Sequence, residues 1–236
     1  MSELISVDPD AARFARQELL EWFKTAARVF PWRPGDDPYH VLMAEMMLRR
    51  TQARQVVAVY ERFLRKYPDI YQLDLAPAEE VAAVLYPLGL GWRAGNFKIL
   101  AREIVTRHNG IVPRQREVLL ALTGVGPYVA EAVRCFAYNE PTVIMDTNTV
   151  RVAARYFGFD YNPESRRRKP VIHAVSCLVD EQHPASSNYA LLDFAAAVCK
   201  AQKPEHNKCP LASRCAYFKM VQRDQVQKTS LTATAE

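Results

Sequence analysis

The sequence predicts an all-α chain, on three observations. Apolar residues recur at helical spacing along most of its 236 residues, every candidate alternating strand breaks after three or four residues, and turn residues separate the periodic stretches. From Asp10, the residues Ala15, Leu19, Trp22, Phe23 and Ala26 mark one stripe of a first helix. Pro31 to Asp37 is rich in turn residues, and Pro38 sits where a helix starts. A long helix is expected from about Tyr39 to Arg65, apolar nearly all round in its first half. Further helices are expected at about Ala78 to Leu85, Asn96 to His108, Arg114 to Leu122, Tyr128 to Tyr138, Thr147 to Tyr156, Pro170 to Val179 and Asn188 to Val198. After Val221 the large hydrophobes thin out, so residues 222–236 are expected to form a mobile tail.

Hydrophobic residues make up 49% and charged residues 24%, which excludes a disordered or collagen-like chain. One domain, or two closely packed lobes, can bury a large core at this length without disulfides. The run Val41 to Leu48 is too short to cross a bilayer, and the first ten residues are acidic and polar rather than a secretory leader. No membrane association and a cytoplasmic, nucleoid-associated location are therefore expected. Lys and Arg number 31 against 26 Asp and Glu, a net charge of +5. The excess is concentrated at Arg49, Arg50 and Arg54 and at Arg166 to Lys169, which serve either as a solvated surface or as contacts to a phosphate backbone.

Four features carry candidate chemistry. Leu122-Thr123-Gly124-Val125-Gly126-Pro127-Tyr128 lies between two helical patterns. Its glycines allow a tight turn with positive φ, Pro127 suits a first helical position, and the turn amides form either a plain helix–helix turn or a phosphate site. Asp146 ends the apolar run Val143-Ile144-Met145, where it serves as a helix N-cap, as a carboxylate that stabilises an oxocarbenium ion, or as both. Glu45 is the sole ionisable residue between Val41 and Leu48. It is either a core carboxylate paired with a cation such as Arg49, or a general acid kept neutral by apolar surroundings. Cys199, His206, Cys209 and Cys215 follow the spacing C-x6-H-x2-C-x5-C, suited to one metal centre, whereas Cys135 and Cys177 fall on apolar helix faces.

Taken in order, Phe30-Pro31-Trp32-Arg33, Glu45 with Leu48-Arg49-Arg50-Thr51, the Gly124/Gly126 hairpin, Met145-Asp146-Thr147-Asn148 with Val150-Arg151-Val152, Leu191-Leu192-Asp193-Phe194 and the cysteine loop resemble the helix-hairpin-helix DNA glycosylases of the endonuclease III superfamily. The likeness runs from about Phe30 to Phe218. It implies a two-lobed fold with the DNA cleft between the lobes. A six-helix barrel with the hairpin would span residues 29–140, and a cluster lobe residues 1–28 and 141–221. It also implies that the target nucleotide is flipped from double-stranded DNA.

The resemblance assigns Asp146, Tyr128 and Glu45 to catalysis and Arg49, Arg50, Gly124 and Gly126 to DNA, with Arg50 as the wedge that fills the gap. Bifunctional members carry lysine at position 128, where this chain has Tyr128, so hydrolysis without strand cleavage is expected. Tyr128 and Leu48-Arg49-Arg50-Thr51 are similar to the Mig-type thymine mismatch enzymes, which gives thymine or uracil opposite guanine as the substrate. A MutY-type adenine glycosylase is the alternative, although the extra domain most of those use is not expected here. A catalytically inactive DNA-binding module is a further one. The likeness also implies a [4Fe-4S] cluster on Cys199, Cys209 and Cys215, with His206 where the family has cysteine; a Cys3His zinc site is the other option. A monomer is expected.

Overall fold

The computed structural model describes residues 5–33, 37–49 and 51–233, with side chains as far as 227. Helix α1 spans Pro9–Ala26. Seven follow: α2 Pro38–Leu48, α3 Ala53–Lys66, α4 Ile70–Leu75, α5 Ala78–Leu85, α6 Ala94–His108, α7 Arg116–Ala121 and α8 Pro127–Tyr138. The last four are α9 Thr147–Phe157, α10 Lys169–Ser176, α11 Pro184–Ala197 and α12 Ala216–Ala233. Short 3-10 turns join several of them, and no strand occurs among the described residues, so the fold is all-α.

The chain divides into two units, Val29–Glu140 and a terminal unit of Met1–Arg28 with Pro141–Glu236. In the Val29–Glu140 unit, every residue of α2 from Val41 to Met47 is buried. A helix apolar on all sides is stable only when neighbours surround it, and α3 and α8 both pack against this one. Asp37 caps it, accepting from the Tyr39 and His40 amides, with Pro38 at its first position.

The expected long helix from Tyr39 to Arg65 is corrected to two. Arg49 leaves α2 in an extended conformation and Gln52 enters α3 in another. The sequence change behind the break is one of pattern: α2 is apolar all round, whereas α3 buries only Val56, Val59, Tyr60 and Phe63 along one face. Helix α4 is not evident from periodicity, being six residues long; Asp69 starts it by accepting from the Gln72 amide.

The terminal unit packs α1, α9, α10 and α11 around Leu19, Val150, Tyr156, Val171, Leu191 and Phe194. Trp22 sets its ring edge-on to Phe194 at 5.6 Å. Asp193, fully buried on α11, accepts from Arg28 Nε at 2.6 Å and Arg28 N at 2.8 Å, tying the end of the first segment to that helix. Helical backbone continues through α12 to Ala233, past the point where composition suggests a tail without order. The stretch Gln222 to Lys228 contains no Gly or Pro and several strong helix formers. No helix among the described residues is long and apolar enough to cross a membrane.

Candidate active site and cysteine cavity

Glu45 is 3% exposed at the middle of α2. Burial lifts its carboxyl from the usual 4.5 to about 7, against the pull of a hydrogen bond from Tyr128 and the charge of Arg33. Its Oε2 is buried with no hydrogen-bond partner among the described residues. The pairing with Arg49 that helical spacing allows does not form, since Arg49 Nη1 donates to Gly124 O at 2.7 Å instead. Arg33 is brought near Glu45 by the aromatic segment before α2. Phe30 stacks on Trp32 at 4.8 Å, and the Arg33 guanidinium lies 5.1 Å from the Phe30 centroid. Tyr128, in the first turn of α8, is half-buried.

The hairpin joins α7 to α8. Gly124 takes φ +81°, a left-handed conformation that favours glycine, and a Cβ there would also press on Met46 Cε at 2.9 Å. Gly126 does not share that conformation: with φ −100° and ψ 177° it is the extended N-cap of α8, followed by Pro127. Open space surrounds it, and a Cβ added there would meet nothing within 4 Å. The two glycines thus differ, one required by the turn and the other leaving room beside a helix N-terminus.

Asp146 is half-buried at the start of α9, in the terminal unit. Its Oδ1 accepts from the Asn148 amide at 2.8 Å and the Thr149 amide at 2.7 Å, and its Oδ2 from Asn148 Nδ2 at 2.7 Å. Thr149 Oγ1 accepts from the Asp146 amide at 3.1 Å, completing a capping box. The network continues inward. Arg151 donates from Nη1 to Asn148 Oδ1, from Nε to Cys199 O and from Nη2 to Ala195 O, each at 2.9 Å. The carboxylate is therefore fixed by its own helix start and by a route to the cysteine loop.

Cys199, His206, Cys209 and Cys215 line one pocket, walled by Val152, Phe194, Val198 and Leu211 among others. Burial and the neighbouring thiols raise Cys209 to about 11, and burial raises Cys215 as well. Arg155 Nη1 lies 3.6 Å from Cys199 Sγ, and the His206 ring packs on Phe218 at 4.6 Å. Three sulfur ligands and an imidazole facing one apolar pocket form a donor set of the kind that holds iron or zinc. Among the described residues no three His, Cys, Asp or Glu side chains gather closely enough to hold a single metal ion. Cys135 is fully buried in α8, as its apolar face implies, whereas Cys177 is half-buried with Sγ 3.7 Å from His173 Nε2.

Residues 43–171 match the HhH-GPD superfamily base excision DNA repair protein family. The chain belongs to that superfamily. This HhH-GPD chain is 36% identical over 232 residues to the thymine/uracil-DNA glycosylase of Pyrobaculum aerophilum, covering 94% of the chain and 99% of the relative. It is 36% identical over 198 residues to the adenine DNA glycosylase of Mycobacterium tuberculosis, covering 82% of the chain and 64% of that relative. A solved thermostable thymine-DNA glycosylase superimposes with a TM-score of 0.84 at 34% identity, covering 89% of this chain and 98% of the other.

Arg50 lies outside the described residues. The run Arg166 to Lys169 is exposed and ends at the first residue of α10. Sequence reasoning missed Trp92, which is 76% exposed with the Arg93 guanidinium 4.6 Å over its ring. Arg93 Nη1 donates to Arg49 O at 3.2 Å, so this aromatic adjoins a predicted DNA residue. An aromatic–basic pair in a glycine-rich loop was the available signal. Asn148 and Arg151 belong to the motifs that carry the resemblance, but their contacts with Asp146 and the cysteine loop were not legible, because spacing does not reveal which way a polar side chain turns.

Proposed function

We propose that this HhH-GPD chain is a monofunctional, monomeric DNA glycosylase that hydrolyses the N-glycosidic bond of thymine or uracil opposite guanine in double-stranded DNA. The observation that carries the reading is Asp146, a carboxylate held by three N–H donors and still half open to solvent. Such a group stabilises positive charge at an anomeric carbon without having to reorganise. The likeness to thymine/uracil-DNA glycosylases over nearly the whole chain supports the choice of base.

In this mechanism the bond from C1′ to the base breaks with its electron pair leaving on the base. Glu45, neutral below about pH 7, donates a proton or hydrogen bond to the departing base, and Tyr128 holds Glu45 and positions the nucleotide. Asp146 stabilises the cationic sugar, orients water toward C1′ and accepts its proton. The hairpin amides at Gly124 and Gly126 hold a phosphate, while Arg49, Arg50 and Trp92 contact DNA beside it.

Cys199, His206, Cys209 and Cys215 would hold a [4Fe-4S] cluster, which when bound supplies metal–ligand cross-links to the 199–215 segment. About four iron and four sulfide per chain support this; stoichiometric zinc overturns it.

Duplexes bearing G:T, G:U, A:G and A:8-oxoguanine, incubated with the protein and then treated with alkali, test the reaction. Release from G:T and G:U is expected. Release only from the adenine duplexes gives the MutY-type reading, release from none gives the inactive binding module, and scission without alkali contradicts hydrolysis alone.

A further inference from the structure

We propose that Glu103 is a positioning residue that sets the hairpin for DNA, an inference that rests on the hairpin reading above. Helix α7 ends at Ala121, and Leu122 is already extended, with ψ 142°. The Thr123 amide therefore leaves the helical ladder and needs an acceptor from elsewhere in the fold. Glu103 on α6 supplies it. Oε2 accepts from Thr123 N at 2.8 Å and Oε1 accepts from Thr123 Oγ1 at 3.1 Å.

The next residue is clasped from another helix end. Arg49 Nη1 donates to Gly124 O at 2.7 Å, and the Val125 amide then closes the turn onto Leu122 O at 3.1 Å. The peptide planes leading to Gly126 are thus fixed by two side chains twenty and seventy-five residues away in sequence. The Glu103 side chain is only 15% exposed, and the cation beside it, Arg107, stands off at 3.8 Å and is largely in solvent.

A carboxylate is electrostatically unfavourable next to a site for phosphate. Its value there lies in geometry: one planar group meets an N–H and an O–H of the same residue. That separates orientation from charge. Glutamine at this position keeps both contacts, its carbonyl accepting from Thr123 N and its amide donating to Thr123 Oγ1, and removes the charge. Alanine removes all of it.

The test measures two quantities on the full chain. One is binding to a duplex carrying a tetrahydrofuran abasic analogue opposite guanine. The other is single-turnover base release from G:T as a function of enzyme concentration. Glu103→Ala is expected to raise the dissociation constant and the half-saturating concentration about tenfold, the scale of a lost hydrogen bond to a charged group. The plateau rate stays within about twofold, because the reacting groups are untouched. Glu103→Gln is expected to bind as tightly as the parent or tighter.

Unchanged binding in Glu103→Ala overturns the proposal, and so does a Gln variant as weak as the Ala variant. Gly126→Val, at a position where an added Cβ meets nothing within 4 Å and with its fold checked by its melting temperature, separates this failure from that of the underlying reading. Weak binding by Gly126→Val beside normal binding by Glu103→Ala removes Glu103 alone. Normal binding by both removes the hairpin as the DNA grip.

Discussion

Replacing Glu45 with glutamine should make the protein more stable in alkaline solution while abolishing its chemistry. The carboxyl is carried from 4.5 in the unfolded chain to about 7 in the fold, chiefly by burial. At about 1.4 kcal/mol per pH unit this is about 3 kcal/mol. Below pH 4.5 both states hold the proton, and the folded state bears no penalty. Between there and about pH 7 the folded chain keeps a proton that the unfolded chain has released, so stability falls as pH rises. Above about pH 7 both are ionised and the whole penalty is present.

Glutamine has no such titration. It can still accept from Tyr128, and its amide meets the same unpartnered surroundings as the protonated Oε2, so the two proteins should match within about 1 kcal/mol at low pH. Urea unfolding of both across about pH 5 to 8.5, taken as a difference, cancels the other titrating groups. The variant's advantage should grow to about 3 kcal/mol at the alkaline end. A difference that stays flat across this range would refute the claim that the carboxyl resists ionisation where it sits.

Three further outcomes are expected. Tyr128→Phe removes the donor that draws Glu45 downward, so the alkaline limb of the excision profile should move to higher pH; a shift to lower pH contradicts the donor role. Asp146→Asn should retain DNA binding and most of the thermal stability, since asparagine caps helices well, while base release falls by about 10²-fold or more; near-parental excision removes Asp146 from the mechanism. Arg151→Gln strips donors from Cys199 O, Ala195 O and Asn148 Oδ1. Stability should drop by about 2 kcal/mol and single-turnover excision on the order of tenfold, with binding little changed. A parental excision rate would show that the route from the cysteine loop does not orient the carboxylate.

Much of this architecture was legible in the residues because local rules wrote it. Pro38 and Pro127 mark helix starts, Asp146 announces a cap, and Glu45 stands out as one charge in an apolar run. What stayed hidden depends on contacts made elsewhere in the chain. The break after Leu48 reflects a change from all-round to one-sided burial, which an uninterrupted run of good helix formers does not display. The partners of Glu45 and of Thr123 come from other elements, Arg33 and Tyr128 in one case and Glu103 in the other. The two hairpin glycines look equivalent as letters and differ in the fold, because only Gly124 of the two takes a positive φ. The four predicted ligands do line one pocket, and the choice between a single ion and a larger group was not written in their spacing.

Because the side chain that starts α9 is also the one proposed to meet the sugar, its loss during evolution is constrained from two directions. Drift at residue 146 to alanine or a branched apolar residue would loosen the beginning of the helix along with the chemistry, and selection for a foldable chain would resist it even after repair activity had ceased to matter. Asparagine, serine and threonine spare the cap. Silent descendants of this protein should therefore carry one of those three at this position, in an otherwise intact scaffold that still recognises DNA.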